Sequence, residues 1–350
     1  MASLTQTAII TRKTVRYSIY FIIFLIIGRI VLGFSIGIIQ KLFPAPPPPP
    51  TVVFGKLPKL PFPVRNDIPT LTYTVQTPEG GLPNLTTQAK VYFMPKYRSD
   101  LLALDAAKQK ATSLGYTSTP TQVTPTLYRF TTPSNPSTME INIITGTFSI
   151  GYNLNTDTSP LSEKPPAAEV AASQARSFLS QGQILPDDLT GQTTQEFLKV
   201  QDKKLVSANS LSEANLIRIN LFRKEYDKLP SLPTNPNQAN VWFIISGSQD
   251  RNRQIIGAQF YYYPIDETQF ATYPLKTADA AFKDLQNGKG FIANLGNNTN
   301  GKIVIRRVYL AYYDGGVDMQ FYQPIIVFEG AADDGFVAYV PAVTSTYYSE

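Results

Sequence analysis

Histidine and cysteine are both absent from the 350 residues. Without cysteine there is no disulfide, no thiol nucleophile and no thiolate metal ligand. Without histidine the commonest general base and the commonest metal-ligating side chain are missing as well. Serine–histidine and cysteine–histidine hydrolases, zinc enzymes and histidine-ligated haem proteins are excluded together. Charge is sparse too, at 16% of residues, against 43% hydrophobic and 12% aromatic. That balance supports packed cores and excludes wholesale disorder. The length admits roughly one to three domains.

The head of the chain contains no acid. Residues 1–41 hold Arg12, Lys13, Arg16, Arg29 and Lys41 and no Asp or Glu, which accounts for the whole formal +5 and leaves the rest of the chain neutral. A nucleic-acid binder carries its excess charge on the folded part, as a patch or stripe, so no nucleic-acid partner is expected. The basic head reads instead as a topology signal.

From Tyr17 to Phe43 the sequence YSIYFIIFLIIGRIVLGFSIGIIQKLF carries Arg29 as its one charge before Lys41. At about 1.5 Å per residue it is long enough to cross roughly 30 Å of hydrocarbon. A cleaved signal peptide has an apolar region of about 7–15 residues and a small-residue cleavage site. This run is much longer and continues into KLFPAPPPPP, so an uncleaved anchor in the lipid bilayer is expected over 17–43. The basic residues before it place 1–16 in the cytoplasm and the remainder outside, as a single-pass protein of the cell membrane. Within the anchor, Arg29, Gly33 and Gly37 are four residues apart and share one helix face. Gly33 and Gly37 permit close approach of a second helix, and a mid-membrane arginine calls for a partner. That face is the candidate contact with another membrane protein. The alternative is that Arg29 snorkels to the interface and the glycines are incidental.

Residues 44–70 hold ten prolines, including Pro46–Pro50, and read as a semi-rigid polyproline spacer. Beyond it, short β-rich runs alternate with three alanine-rich helices at Asp100–Gly115, Pro166–Gly182 and Lys276–Gly288. The first should bury Leu101, Leu104, Ala107, Ala111 and Leu114, and Gly115 suits its C-terminal end. The second and third share Ala-x-x-x-Leu-x-x-Gly, at Ala175/Leu179/Gly182 and Ala281/Leu285/Gly288. Each helix leads into strands, among them Gln195–Leu205, Leu216–Arg223, Val241–Gly247, Ile255–Tyr263 and Ile303–Tyr313. The polar stretch 153–165, NLNTDTSPLSEKP, is the best domain boundary. The expected fold is α+β: a transmembrane helix, a spacer, then tandem antiparallel sheets each packed by a helix. The expected domains are 71–155 and 166–350, the latter dividing near 275.

A helix followed by MEINIITGTFSIGY, a hairpin closed at Thr145–Gly146, resembles the small PepSY-type unit of exported proteins. The stretch 216–290 contains LIRINLFRKEYDKLP, then VWFIISGSQDRNRQIIGAQFYYYP, then YPLKTADAAFKDLQNGKG. With its Tyr-Asp-x-Leu-Pro element it resembles YycH/YycI-type proteins, as does the closing VYLAYYDGGVDMQFYQPIIVFEGAADDGFVAYVPAV. The resemblance implies a single-pass bacterial protein whose exported domains are built of such units and modulate a sensor kinase. It supplies no catalytic residues, and the long Pro-rich spacer departs from the pattern.

Candidate chemistry rests on carboxylates and tyrosines. Asp314 and Asp318 lie in YDGGVD and Asp333 and Asp334 in AADDG, with Glu329 nearby, both where hairpin turns are expected. Two carboxylates flanking a groove serve a glycosidase, and oxygen clusters bind calcium. There is no D-x-D-x-D-G spacing, and turn chemistry accounts for the residues. No catalytic residue, metal or cofactor is therefore expected, and each turn aspartate should tolerate alanine at about 1 kcal/mol or less. Neighbouring tyrosines on a strand face opposite ways, so Tyr261, Tyr263 and Tyr312 are the candidates for an exposed aromatic patch that takes sugar or protein. The alternative is ordinary sheet tyrosines. The function expected is a membrane-anchored extracytoplasmic interaction or regulatory module without catalytic activity. An envelope enzyme acting on glycan through carboxylates and a passive surface scaffold are the alternatives.

Overall fold

The computed structural model describes residues 4–42, 48–65, 68–97, 100–297, 301–331 and 335–349, with side chains described for 9 and 11–33 within the first range. The chain forms two units, Met1–Pro49 and Pro50–Glu350. The first is α1 (Leu4–Leu42). Its stretch Thr11–Gly33 is long and apolar enough to cross a membrane. Phe21, Ile22, Ile23 and Phe24, which follow one another at steps of about 100°, are all exposed, so the helix is apolar around its whole circumference there, as a bilayer requires.

The second unit begins with β1 (Thr72–Val75), β2 (Gln88–Phe93) and α2 (Ala103–Ser113). It continues through β3 (Thr121–Gln122), β4 (Leu127–Thr131), β5 (Ser137–Asn142), β6 (Phe148–Tyr152) and α3 (Ala168–Gln181). Then come β7 (Thr193–Gln201), β8 (Lys204–Ser207), β9 (Leu216–Leu221), β10 (Ser231–Pro233), β11 (Val241–Ile245) and β12 (Ile255–Phe260). The last elements are β13 (Asp266–Pro274), α4 (Ala278–Gln286), β14 (Phe291–Asn294), β15 (Lys302–Ile305) and β16 (Arg307–Asp314). They are followed by β17 (Phe321–Tyr322), β18 (Pro324–Glu329) and β19 (Val337–Pro341).

Two lobes result, and the chain passes between them. Lobe one, roughly residues 100–263 apart from β10, is a nine-stranded antiparallel sheet in the order β3-β4-β5-β6-β12-β11-β9-β7-β8. Alanines of α2 and α3 (Ala107, Ala111, Ala171, Ala175) share one core with Phe130, Ile141, Phe148, Ile217 and Phe243. Short side chains let both helices lie close on the sheet. Lobe two is built from both ends of the unit. A five-stranded sheet, β10-β16-β18-β19-β14, joins a three-stranded one, β13-β2-β17, and the pair β1-β15. Along β18 the alternation is clean: Ile326 and Phe328 pack with Ala281 and Leu285 of α4, while Ile325 and Val327 pack with Tyr312, Tyr322 and Tyr339.

Several boundaries differ from the sequence expectation. The division at 153–165 does not divide the sheet, because β6 hydrogen-bonds directly to β12. Residues 51–62 belong to lobe two and are not free spacer. Leu57 is fully buried, its backbone bonds to Tyr347 and Ser349, and Val52 bonds to Thr272; the apolar residues between the prolines drive this. The run 195–205 is two strands, since Asp202 and Lys203 take positive φ (51° and 62°) in a two-residue turn. Two pairings, β1·β15 and β10·β16, are parallel. Helix α2 starts later than expected and leaves Leu101 exposed.

Gly191 shows how closely the backbone passes the segment after β9: a Cβ there would lie 1.9 Å from the carbonyl oxygen of Arg223. Gly191→Ala is expected to lower stability by about 1–3 kcal/mol through overpacking. Gly81→Ala, where a Cβ meets nothing, should move it by less than about 0.5 kcal/mol. Chemical denaturation followed by the single tryptophan, Trp242 on β11, measures both.

Candidate functional site

Arg223, two residues past β9, is almost wholly buried. Its Nη1 reaches Asp188 Oδ2 at 2.5 Å and its Nε reaches Asp314 Oδ2 at 2.9 Å. Nη2 donates to the carbonyl of Tyr263 at 2.5 Å, and the guanidinium lies 4.2 Å from the ring centre of Tyr262. Asp188 sits on the loop after α3, and Asp314 ends β16 in lobe two. Burial opposes the charge on Arg223, but Asp314 and then Asp188 outweigh it and hold its pKa well above the ordinary value.

The Tyr-Asp-x-Leu-Pro element completes the joint. Tyr226 and Leu229 exchange backbone hydrogen bonds around Asp227 and Lys228, both at positive φ, so the element is a tight two-residue turn. Tyr226 donates its hydroxyl to Asp188 Oδ2 at 2.8 Å. Asp227 points to lobe two, accepting from Tyr92 Oη at 2.8 Å and Lys90 Nζ at 2.9 Å on β2. One turn thus contacts both lobes.

Beside this joint lies a cavity of about 630 Å³, within the usual range for small-ligand sites. Ala103, Ala106, Ala107 and Lys110 line it from α2; their i, i+3, i+4, i+7 spacing is one helix face, and the alanines leave the space. The β5–β6 hairpin contributes Ile141–Gly146, the loop after α3 contributes Gln183–Asp188, and Lys224, Tyr226, Tyr262 and Glu267 close the remainder. Asp188 is engaged by Arg223, and Lys224 is paired with Glu267 at 2.6 Å. Asp187 is exposed. Lys110 differs: it is half-buried, no carboxylate among the described residues lies within ion-pair distance, and burial pulls its pKa below the ordinary lysine value. Its ammonium lies over the Thr145–Gly146 turn, where a Cβ on Gly146 would come within 3.1 Å of Nζ.

The residues expected from sequence are scattered. Tyr261 is exposed and Tyr263 partly buried, against Tyr97 at 5.9 Å between ring centres. Tyr312 is a correction. It is fully buried, stacked on Tyr322 at 5.0 Å and donating to the carbonyl of Lys90, because its face of β16 packs against β2 and β17. Asp314 is a second correction: a buried ion-pair partner, not a solvated turn residue. Glu329 accepts from Tyr309 and faces Arg307 at 3.6 Å, and Asp318 is exposed. On α1, Arg29 is exposed and Gly33 has open space around it. The surroundings of Gly37, and Asp333 and Asp334, lie outside the described residues. Among the described residues no three acidic side chains gather as a metal site requires. Arg223, Asp188 and Lys110 were not singled out by pattern; the usable signals were an arginine closing the strand LIRINLFR and a lysine on the alanine face of α2.

Two outcomes follow from this geometry. Asp314→Ala should cost about 3–5 kcal/mol, the penalty of a broken buried pair, and not the 1 kcal/mol of a turn residue; denaturation at neutral pH distinguishes the two. Lys110→Met should raise the melting temperature at pH 7. The folded state binds this proton more weakly than the unfolded chain, so the cost is present at neutral pH and is relieved as pH rises towards 10.5. The difference between variant and parent should shrink over that interval, and a constant or growing difference contradicts the assignment.

No family model matches the chain, and no curated protein matches it. Among solved structures, an uncharacterized protein from Eubacterium rectale is similar at a TM-score of 0.36 and 11% identity, over 73% of this chain and 82% of that one.

Proposed function

We propose that the chain is a membrane-tethered, extracytoplasmic module that acts by interaction, not catalysis, on a membrane partner such as a sensor kinase, and that it recognises that partner through the Arg29, Gly33 and Gly37 face. The state of the carboxylates carries the reading. Asp188 and Asp314 are bound to Arg223, Glu267 to Lys224, and Glu329 to Arg307 and Tyr309. A glycosidase needs two unencumbered carboxyl groups opposed across a groove at roughly 5–9.5 Å. The apolar α1 next to the proline-rich run supports the tether, and the basic residues before the span support an outward-facing body.

In the PepSY-like and YycI-like reading, the repeated units are α2 with β3–β6 and α3 with β7–β9, β11 and β12. What supports it is that each helix precedes its own strands and that the two sets lie side by side in one sheet. The Tyr-Asp-x-Leu-Pro turn would then be the element that locks such a unit to its neighbour.

Protease added to intact cells should remove the body and leave a short membrane fragment. Affinity recovery from native membranes should fall for Gly33→Leu with Gly37→Leu, and for Arg29→Leu, while surface display holds level. Ile30→Leu with Phe34→Leu, roughly 100° around the helix, should change little. Soluble protein beginning near Pro44 in the medium, or undiminished recovery by the glycine and arginine variants, contradicts the reading.

A further inference from the structure

We propose that the cavity between α2, the β5–β6 hairpin and the joint binds an organic monocarboxylate with an apolar body, its carboxylate held by the ammonium of Lys110. This goes beyond the membrane reading and does not depend on it. A half-buried ammonium without a counter-ion is costly to maintain, and stability alone would favour methionine or leucine there. The other cation in the wall, Lys224, is already paired with Glu267, and Arg223 is enclosed by Asp188 and Asp314. Lys110 is thus the cation available to a ligand among the described residues lining the cavity.

The surrounding charges decide the class of anion. Asp188 lines the cavity and belongs, with Arg223 and Asp314 behind it, to a cluster of net negative charge, and Asp187 adds another negative charge in the wall. A phosphate dianion would be opposed on that side, whereas a single negative charge is met by the single free ammonium. Ile143, Leu185, Phe260, Tyr262 and Ile265 form an apolar part of the wall beside the polar Asn142, Thr145 and Gln183, and that part suits a hydrocarbon or aromatic body. A free apolar acid and the C-terminus of a peptide ending in an apolar residue share this chemistry.

The test uses the full chain in lipid nanodiscs and an acetyl N-hydroxysuccinimide ester, with acetylation read at each lysine by peptide mass spectrometry. The probes are phenylacetate and N-acetylphenylalaninate, each beside its neutral amide. An acid should slow acetylation of Lys110 several-fold, its amide should not, and the exposed Lys283 should be unaffected. Protection by N-acetylphenylalaninate alone assigns the site to a peptide terminus; protection by both acids assigns it to small carboxylates. In ligand-observed magnetic resonance the parent should prefer acid over amide by about tenfold, the worth of one charge-assisted contact. Lys110→Met, shown folded by its melting temperature, should lose that preference and Lys110→Arg should keep it. Equal protection by acid and amide, protection by neither acid, or an unchanged preference in folded Lys110→Met overturns the proposal.

Discussion

A guanidinium taken out of water must find fixed negative charge, and Arg223 finds it 35 residues upstream at Asp188 and 91 residues downstream at Asp314. That requirement ties lobe one to the end of β16 in lobe two. An isolated buried pair contributes little net stability, but removing one member leaves the others uncompensated. Its effect is therefore on specificity: one relation between the lobes satisfies all three charges, and a slipped one strands at least one of them. Tyr226, Tyr262 and the Tyr263 carbonyl complete the shell around the same atoms, and the Asp227 turn anchors it to β2.

The path of the chain makes this joint consequential. Lobe two draws β1 and β2 from before lobe one and β13 to β19 from after it, and the chain crosses to it once in between to add β10 beside β16. Closing so long a loop costs backbone entropy that long-range strand pairing must offset. The Arg223 contacts and the Asp227 turn sit where the chain leaves lobe one for lobe two. The cavity shares Asp188, Tyr226 and Tyr262 with this joint.

Much of the local structure was legible in the sequence. The alanine rows of α2, α3 and α4 follow a 3.6-residue period and end at recognisable signals: Thr277 caps α4, and Gly115 and Gly288 take positive φ just past helix ends. The apolar α1 and the hairpin at Thr145–Gly146 were equally plain, since turn chemistry and length decide them locally. What escaped was non-local. Nothing in residues 72–93 states that their partners lie beyond 266, because strand pairing is set by burial and not by sequence distance. Asp314 reads as a turn aspartate because the turn is local in the sequence and the pairing with Arg223, 91 residues away, is not. Tyr312 reads as outward-facing by alternation, yet β16 is covered on both faces. Lys110 shares the alanine face of α2, but only the fold places the hairpin and the loop after α3 around it.

Held by charges from both lobes, Arg223 should make them one cooperative unit. Native-state hydrogen exchange in low denaturant, on the full chain and on Arg223→Met, addresses it most directly by comparing the β9 and β11 amides of lobe one with the β16 and β18 amides of lobe two. In the parent the two sets should merge into one opening free energy as denaturant rises. In Arg223→Met they should separate, with one lobe opening while the other stays protected. Independent opening of the lobes in the parent, or a single shared opening that survives in the variant, would contradict the account.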